Sequence, residues 1–277
     1  MKIKKKGIQK GVYILPNLLT TGNLFCGFFS IIRAIHGDYI TASWAILWAG
    51  VFDFLDGRVA RFTRGQSEFG LEYDSLCDLC SFGLAPAILM YTWVLSPFKQ
   101  FGWTAAFVFF ACGALRLARF NVQVSDVEKK GFQGLPIPGA AYTMASFVIL
   151  HHYLYGKRIP SGIGILIMTF TLAFLMISQV PYRSFKVLDL NRRANFFLLV
   201  FFVGVVFVIA SVPQVMIFVV TIAYVSVGVL EEIFRSPMRI GHLIGALRRQ
   251  MQPEEKREKS TFKVIEMRKD QDEQFKM

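Results

Sequence analysis

The apolar residues of this chain fall into blocks of about 18–22, the length a helix needs to cross roughly 30 Å of hydrocarbon. That grouping narrows the possible folds sharply. Inside a bilayer no water is available to backbone N–H and C=O groups, so each block must close its hydrogen bonds within itself, as a helix. Eight such segments can be read, at 15–35, 39–60, 72–96, 101–121, 137–156, 160–181, 195–211 and 213–232. The fold class is all-α integral membrane, with about eight transmembrane helices by this count. Composition agrees: 54% of the 277 residues are hydrophobic and 18% charged, a balance that argues against an ordinary soluble domain.

The basic residues then orient the bundle. One set of loops and ends holds Lys2, Lys4, Lys5, Lys6, Lys10, Arg61, Arg64, Arg116, Arg119, Lys129, Lys130, Arg183, Lys186, Arg192 and Arg193. The other holds little beyond Arg33, Lys99, Lys157 and Arg158. The positive-inside rule places both termini in the cytoplasm, as an even number of spans requires. The net charge of +12 therefore reads as attraction to an anionic membrane surface, with no nucleic acid partner. The basic opening before residue 15 resembles a signal peptide's, but the apolar stretch after it is longer than a secretory h-region and lacks a small-residue cleavage site. It reads as an uncleaved first span. Cys26, Cys77, Cys80 and Cys112 lie in or beside apolar segments and read as packing thiols, without a disulfide framework.

Four carboxylates interrupt this apolar pattern. Asp53 and Asp56 stand at i and i+3 near the end of the second block, and Asp74 and Asp78 at i and i+4 near the start of the third. One Asp near the bilayer centre costs about 2.5–3.5 kcal/mol on insertion scales, and several together also repel one another unless a cation or a proton intervenes. The short link between the blocks makes the two helices antiparallel neighbours. Asp53 then faces Asp78 at depth, and Asp56 faces Asp74 nearer the cytoplasmic rim. Oxygen-only ligands of this kind favour Mg²⁺ or Mn²⁺, held together with substrate phosphates. Gly57, Ala60 and Gly70 leave room for a close approach, and Arg61 at the rim offers a guanidinium to a phosphate.

Together, Asp53-x2-Asp56-Gly57-x2-Ala60-Arg61-x8-Gly70-x3-Asp74-x3-Asp78 resembles, without a gap, the signature of the CDP-alcohol phosphatidyltransferase family. The resemblance implies a six-helix core, normally homodimeric, that opens to the cytoplasm and transfers a phosphatidyl or related group from a CDP-linked donor to an alcohol, releasing CMP. It also implies that Asp53, Asp56 and Asp74 ligand metal, and that Asp78 is the base and a further metal contact. Gly57, Arg61 and Ser67 would hold the CDP moiety. The first helix, with Pro16-Asn17, Thr20, Thr21 and Asn23, would touch the nucleotide, although helix–helix hydrogen bonding would also account for those polar residues. The domains then read as a basic juxtamembrane segment 1–14, a six-helix catalytic core 15–181, two additional helices in 195–232 and a basic cytoplasmic tail 233–277.

Three further stretches, 21–27, 116–121 and 131–138, look like the phosphatidylserine synthase branch of that family, which implies CDP-diacylglycerol as donor and L-serine as acceptor. Arg116 or Arg119 could pair with a serine carboxylate, and Asn121 and Gln133 could hydrogen-bond its polar groups. Positive-inside anchoring accounts for either arginine equally well. Within the family, glycerol 3-phosphate, inositol phosphate, choline or an archaeal ether-lipid donor remain open. Outside it, a divalent-cation transporter could use the acidic cluster for selectivity, but no matching acidic set stands toward the other face. His151 and His152 fall toward that outer face and read as structural. The resemblance further implies a prokaryotic plasma membrane, with membrane lipids as surroundings.

Overall fold

The structure is a computed structural model, and residues 14–63, 68–123, 134–178 and 211–230 are described. Among them every regular element is helical: α1 (Ile14–Ile35), α2 (Tyr39–Thr63), α3 (Glu68–Phe98), α4 (Gln100–Gln123), α5 (Ile137–Tyr155), α6 (Gly162–Ile177) and α7 (Pro213–Leu230). The chain divides into two compact units, residues 1–229 and 230–277. The basic opening segment, Ser67, Gln133, most of the 195–211 segment and the 233–277 tail lie outside the described residues.

Four of these helices, α1, α3, α4 and α7, are long and apolar enough to cross a membrane. The same test does not select α2, which carries Asp53, Asp56, Arg58 and Arg61, or α5, which carries Thr143, Ser146, His151 and His152. α6 is apolar but only 16 residues long. The helices are inside-out relative to those of a soluble protein. α1 buries Pro16, Thr20, Asn23, Gly27, Ser30 and Ala34, spaced by three or four residues, and turns Leu18, Phe25, Phe28 and Ile32 outward. Small and polar side chains let backbones approach and hydrogen-bond, while large apolar ones face lipid at no cost. The shared core follows the same rule. Ala42, Ala49, Ala85, Ala140, Ala141 and Ala145 are buried around Phe82, Phe109, Leu89 and Met144.

Two devices shape the helices that carry the carboxylates. The first is the turn between α1 and α2, where Gly37 takes φ 79° and Asp38 Oδ1 accepts the Thr41 amide at 3.2 Å, capping α2. The second is the irregularity of α3. It runs as α-helix over Glu68–Asp78, widens into π-helix over Leu79–Leu84, returns to α-helix over Ala85–Met90, and widens again over Tyr91–Leu95 before a 3₁₀ turn, Ser96–Phe98. Each wide stretch contains the residue four before a proline, Phe82 for Pro86 and Trp93 for Pro97. A proline ring clashes with that carbonyl in a regular α-helix, so loosening the turn there removes the clash.

The C-terminus of α6 is closed by other parts of the fold. Arg119 Nη1 donates to the Ile177 carbonyl at 3.0 Å, and the Leu135 amide donates to the Leu175 carbonyl at 3.0 Å. Gly134, at φ 84°, lets the chain before α5 pass against the Met176 and Ser178 carbonyls, where a Cβ would collide.

Candidate active site

α2 was expected to pack directly against the start of α3. Instead its principal packing partner is α1, which also packs along the first turns of α3. Four carboxylates on facing helices cannot be packed dry against one another. The polar stripe of α1 packs against both helices, so the acidic residues line a cleft with α1 as its third wall. Closeness to α1 comes from glycine on both sides. A Cβ at Gly22 would meet the Phe52 ring at 3.0 Å, and one at Gly27 would lie 2.6 Å from Ser81 Cα.

Within the cleft one carboxylate oxygen from each of Asp53, Asp56 and Asp74 lies within 4.8 Å of the others. Asp56 is buried, and Asp53 and Asp74 are half-buried. Asp56 Oδ2 and Asp74 Oδ1 are buried with no hydrogen-bond partner, which is costly for an acceptor unless a cation takes it. Two oxygens across an octahedral Mg²⁺ are about 4.2 Å apart, so the observed spread is a small side-chain adjustment away from one coordination sphere. The residues present therefore fit a hard divalent cation.

Asp78 is not in that set of three. Its Oδ1 accepts from Asn23 Nδ2 at 2.9 Å, and it stands in electrostatic range of Asp53, Asp74 and Asp56. Ser81 Oγ, one turn further on, donates to the Asn23 carbonyl at 2.9 Å, so α1 and α3 are laced at two points around this one carboxylate.

The other sequence-predicted residues divide into two groups. Thr20 is buried; its hydroxyl reaches the Pro16 carbonyl at 3.1 Å and also stands beside the Asp56 carboxylate. Asn17 is half-buried one turn earlier, and its carbonyl accepts from Thr21 Oγ1 at 2.7 Å. Asn23 is fully buried with its amide nitrogen on Asp78, so it faces the acid rather than an open cleft. Gly57 has open space around it, and Arg61 is exposed with its Nε on the Gly57 carbonyl at 2.8 Å. Of the four residues read as acceptor contacts, Arg119 is engaged with Ile177, and Asn121 exchanges hydrogen bonds with Ser75 at 3.1 and 3.3 Å. Arg116 differs: its Nε is buried without a partner, and it lies in electrostatic range of Asp78.

Tyr142 was missed in the sequence. A Cβ at Gly50 would overlap its hydroxyl, and its ring meets Phe82 edge-on at 5.7 Å, which sets the phenol in electrostatic range of Asp53 and Asp78. The only signal was Gly50 itself, a glycine in an apolar helix three residues before Asp53. At the opposite end of the bundle, a cavity of about 580 Å³ is lined by residues that include His36, Tyr39, Trp93 and His151. It begins near the start of α2, about 20 Å of helix rise from Asp53, and shares no residue with the acidic cleft.

A bundle of apolar helices with a carboxylate cleft at one end defines the class: a helical membrane protein with an acidic, cation-suited site. The chain belongs to the CDP-alcohol phosphatidyltransferase family, whose pattern matches residues 13–180. It is 36% identical over 200 residues to the CDP-diacylglycerol–serine O-phosphatidyltransferase of Helicobacter pylori strain J99, an alignment covering 71% of this chain and 83% of that protein. It is 33% identical over 172 residues to the enzyme of the same name from Bacillus subtilis, covering 62% of this chain and 91% of that one. It is 39% identical over 171 residues to the archaetidylserine synthase of Methanothermobacter thermautotrophicus, covering 61% and 69%.

Proposed function

We propose that this protein transfers the phosphatidyl group of CDP-diacylglycerol to the hydroxyl of L-serine, giving phosphatidylserine and CMP. Family membership and the names of its relatives support that reaction. The observation that carries it in this chain is that Asp78, set apart on Asn23, lies in electrostatic range of Arg116, a half-buried residue whose Nε is buried without a partner.

In this reading Asp53, Asp56 and Asp74 hold Mg²⁺ or Mn²⁺, with Asp78 as a further contact. The bound cation would lower the negative charge of the donor pyrophosphate, which otherwise repels an incoming oxygen. Arg61 and Ser67 bind the CDP phosphates, Gly57 leaves room for them, and Asn17 and Thr20 line the nucleotide side. Asn23 acts through Asp78, holding one carboxylate oxygen so that the other can take a proton. Arg116 pairs with the serine carboxylate, which brings the serine hydroxyl toward Asp78. Asp78 accepts the hydroxyl proton, the serine oxygen bonds to the phosphatidyl phosphorus, and the anhydride P–O bond to CMP breaks. CMP leaves with that electron pair, its charge met by Arg61. Arg119 and Asn121, with partners of their own, shape the wall beside Arg116, and Gln133 would hydrogen-bond the polar groups of serine. The active site opens to the cytoplasm of a prokaryotic plasma membrane, in a homodimer of eight-span subunits whose tail lies on the anionic surface.

The archaeal relative gives one specific second reading, an ether-lipid donor with the same seryl acceptor. The test is CMP release by the purified protein with each donor and with L-serine, glycerol 3-phosphate or inositol phosphate. Serine-dependent release that EDTA abolishes and Mg²⁺ or Mn²⁺ restores is expected. Asp78→Asn should lose turnover by at least about 100-fold while still binding CDP-diacylglycerol. Release with glycerol 3-phosphate but not with serine would overturn the acceptor assignment.

A further inference from the structure

α7 lies beyond the six-helix core, yet it packs along α5. Ser146 and Thr221 share a hydrogen bond at 3.1 Å, Phe147 and Phe218 bring their rings to 5.7 Å, and the Tyr224 ring sits where a Cβ at Gly139 would be 3.4 Å from it. Gly139 belongs to the first turn of α5. So does Ile137, whose side chain fills the space over Gly113 of α4, three residues before Arg116. Tyr224 and Arg116 thus converge on one corner of the bundle, near enough to interact electrostatically. From that corner Arg116 also lies in range of Asp78.

We propose that α7 is part of the catalytic unit, and that Tyr224 is a positioning residue that fixes the Arg116 guanidinium on the acceptor side of the acidic cleft. An arginine has a long, flexible stem, and packing is what converts it into a fixed fork for a carboxylate. In this arrangement the Tyr224 oxygen would accept from one guanidinium N–H and leave the remaining donors to the ligand. The approach is close at Gly139, where an added Cβ would already be in van der Waals contact with the Tyr224 ring. The inference rests on the reading of Arg116 as the carboxylate-binding residue, and it gives a helix outside the family core a role in choosing the acceptor.

The experiment uses the full chain in detergent, with CMP release measured while L-serine and CDP-diacylglycerol are varied separately. Tyr224→Phe should raise KM for serine about fivefold with KM for CDP-diacylglycerol within twofold, and Tyr224→Ala should raise it further. Combining Tyr224→Phe with Arg116→Lys should give no more loss than Arg116→Lys alone, because the tyrosine acts through the arginine. An unchanged serine KM in Tyr224→Phe, equal losses in both KM values, or multiplied losses in the double variant would overturn the proposal. Failure of the underlying reading looks different. Arg116→Lys itself would then leave the serine KM unmoved, or the wild-type protein would not use serine.

Discussion

Gly50 and Gly57 stand two turns apart on α2, on either side of the first two carboxylates, and they are glycines for opposite reasons. Gly50 is filled by its neighbour, since the Tyr142 hydroxyl occupies the place of a Cβ. Gly57 faces empty space within 4 Å. Gly50→Ala should therefore destabilise the protein by about 1–3 kcal/mol, the usual cost of overpacking, and thermal unfolding in detergent would show a lower midpoint. Gly57→Ala should leave that midpoint unchanged or raised, because alanine is the better helix former by about 0.5–1 kcal/mol, while raising KM for CDP-diacylglycerol. A Gly57→Ala protein with unchanged kinetics would remove Gly57 from the donor site. At this scale the acidic residues were legible, because a charge in an apolar run stands out on energy alone. Tyr142 and Tyr224 were not, because a tyrosine in an apolar helix is unremarkable until a glycine on another helix is found beneath it.

Helices were legible wherever apolar runs were long, and the ends of α1, α2 and α5 fall within a few residues of the expected bounds. Their neighbours were not. Sequence spacing joined α2 to α3 because the link between them is short, whereas packing joined both to α1 through Gly22, Gly27 and the Asn23 amide. Connectivity is local in the sequence, but backbone approach depends on small residues dispersed along a different helix. The π-helical stretches of α3 were equally hidden, although Pro86 and Pro97 supply their cause. Since the contact of α1 with α3 sets Asp78, Gly27→Val should act on chemistry as well as on stability. Forcing Ser81 away carries the Asn23–Asp78 pair with it, and kcat should fall by about 10-fold or more with less effect on either KM. Unchanged kcat in a folded Gly27→Val protein would mean that Asp78 keeps its orientation without α1.

For the whole molecule, orientation is the claim most open to direct measurement. Single cysteines at Phe62 and Lys157, both exposed, should react with a membrane-impermeant maleimide from opposite sides of sealed vesicles, Phe62 from the side that holds CMP. Labelling of both from one side would reject the topology. The 16 residues of α6 have a wider consequence. At about 1.5 Å per residue the helix rises about 24 Å, some 6 Å less than a hydrocarbon slab of about 30 Å. Its final carbonyls are already paired with Arg119 and Leu135, so it can stop short without leaving bare peptide groups in oil. A helix this short should draw the bilayer thin along that flank. Turnover in vesicles should peak with short-chain phosphatidylcholines and fall as their acyl chains lengthen, so that lipid thickness becomes a control on the rate at which new headgroups are made.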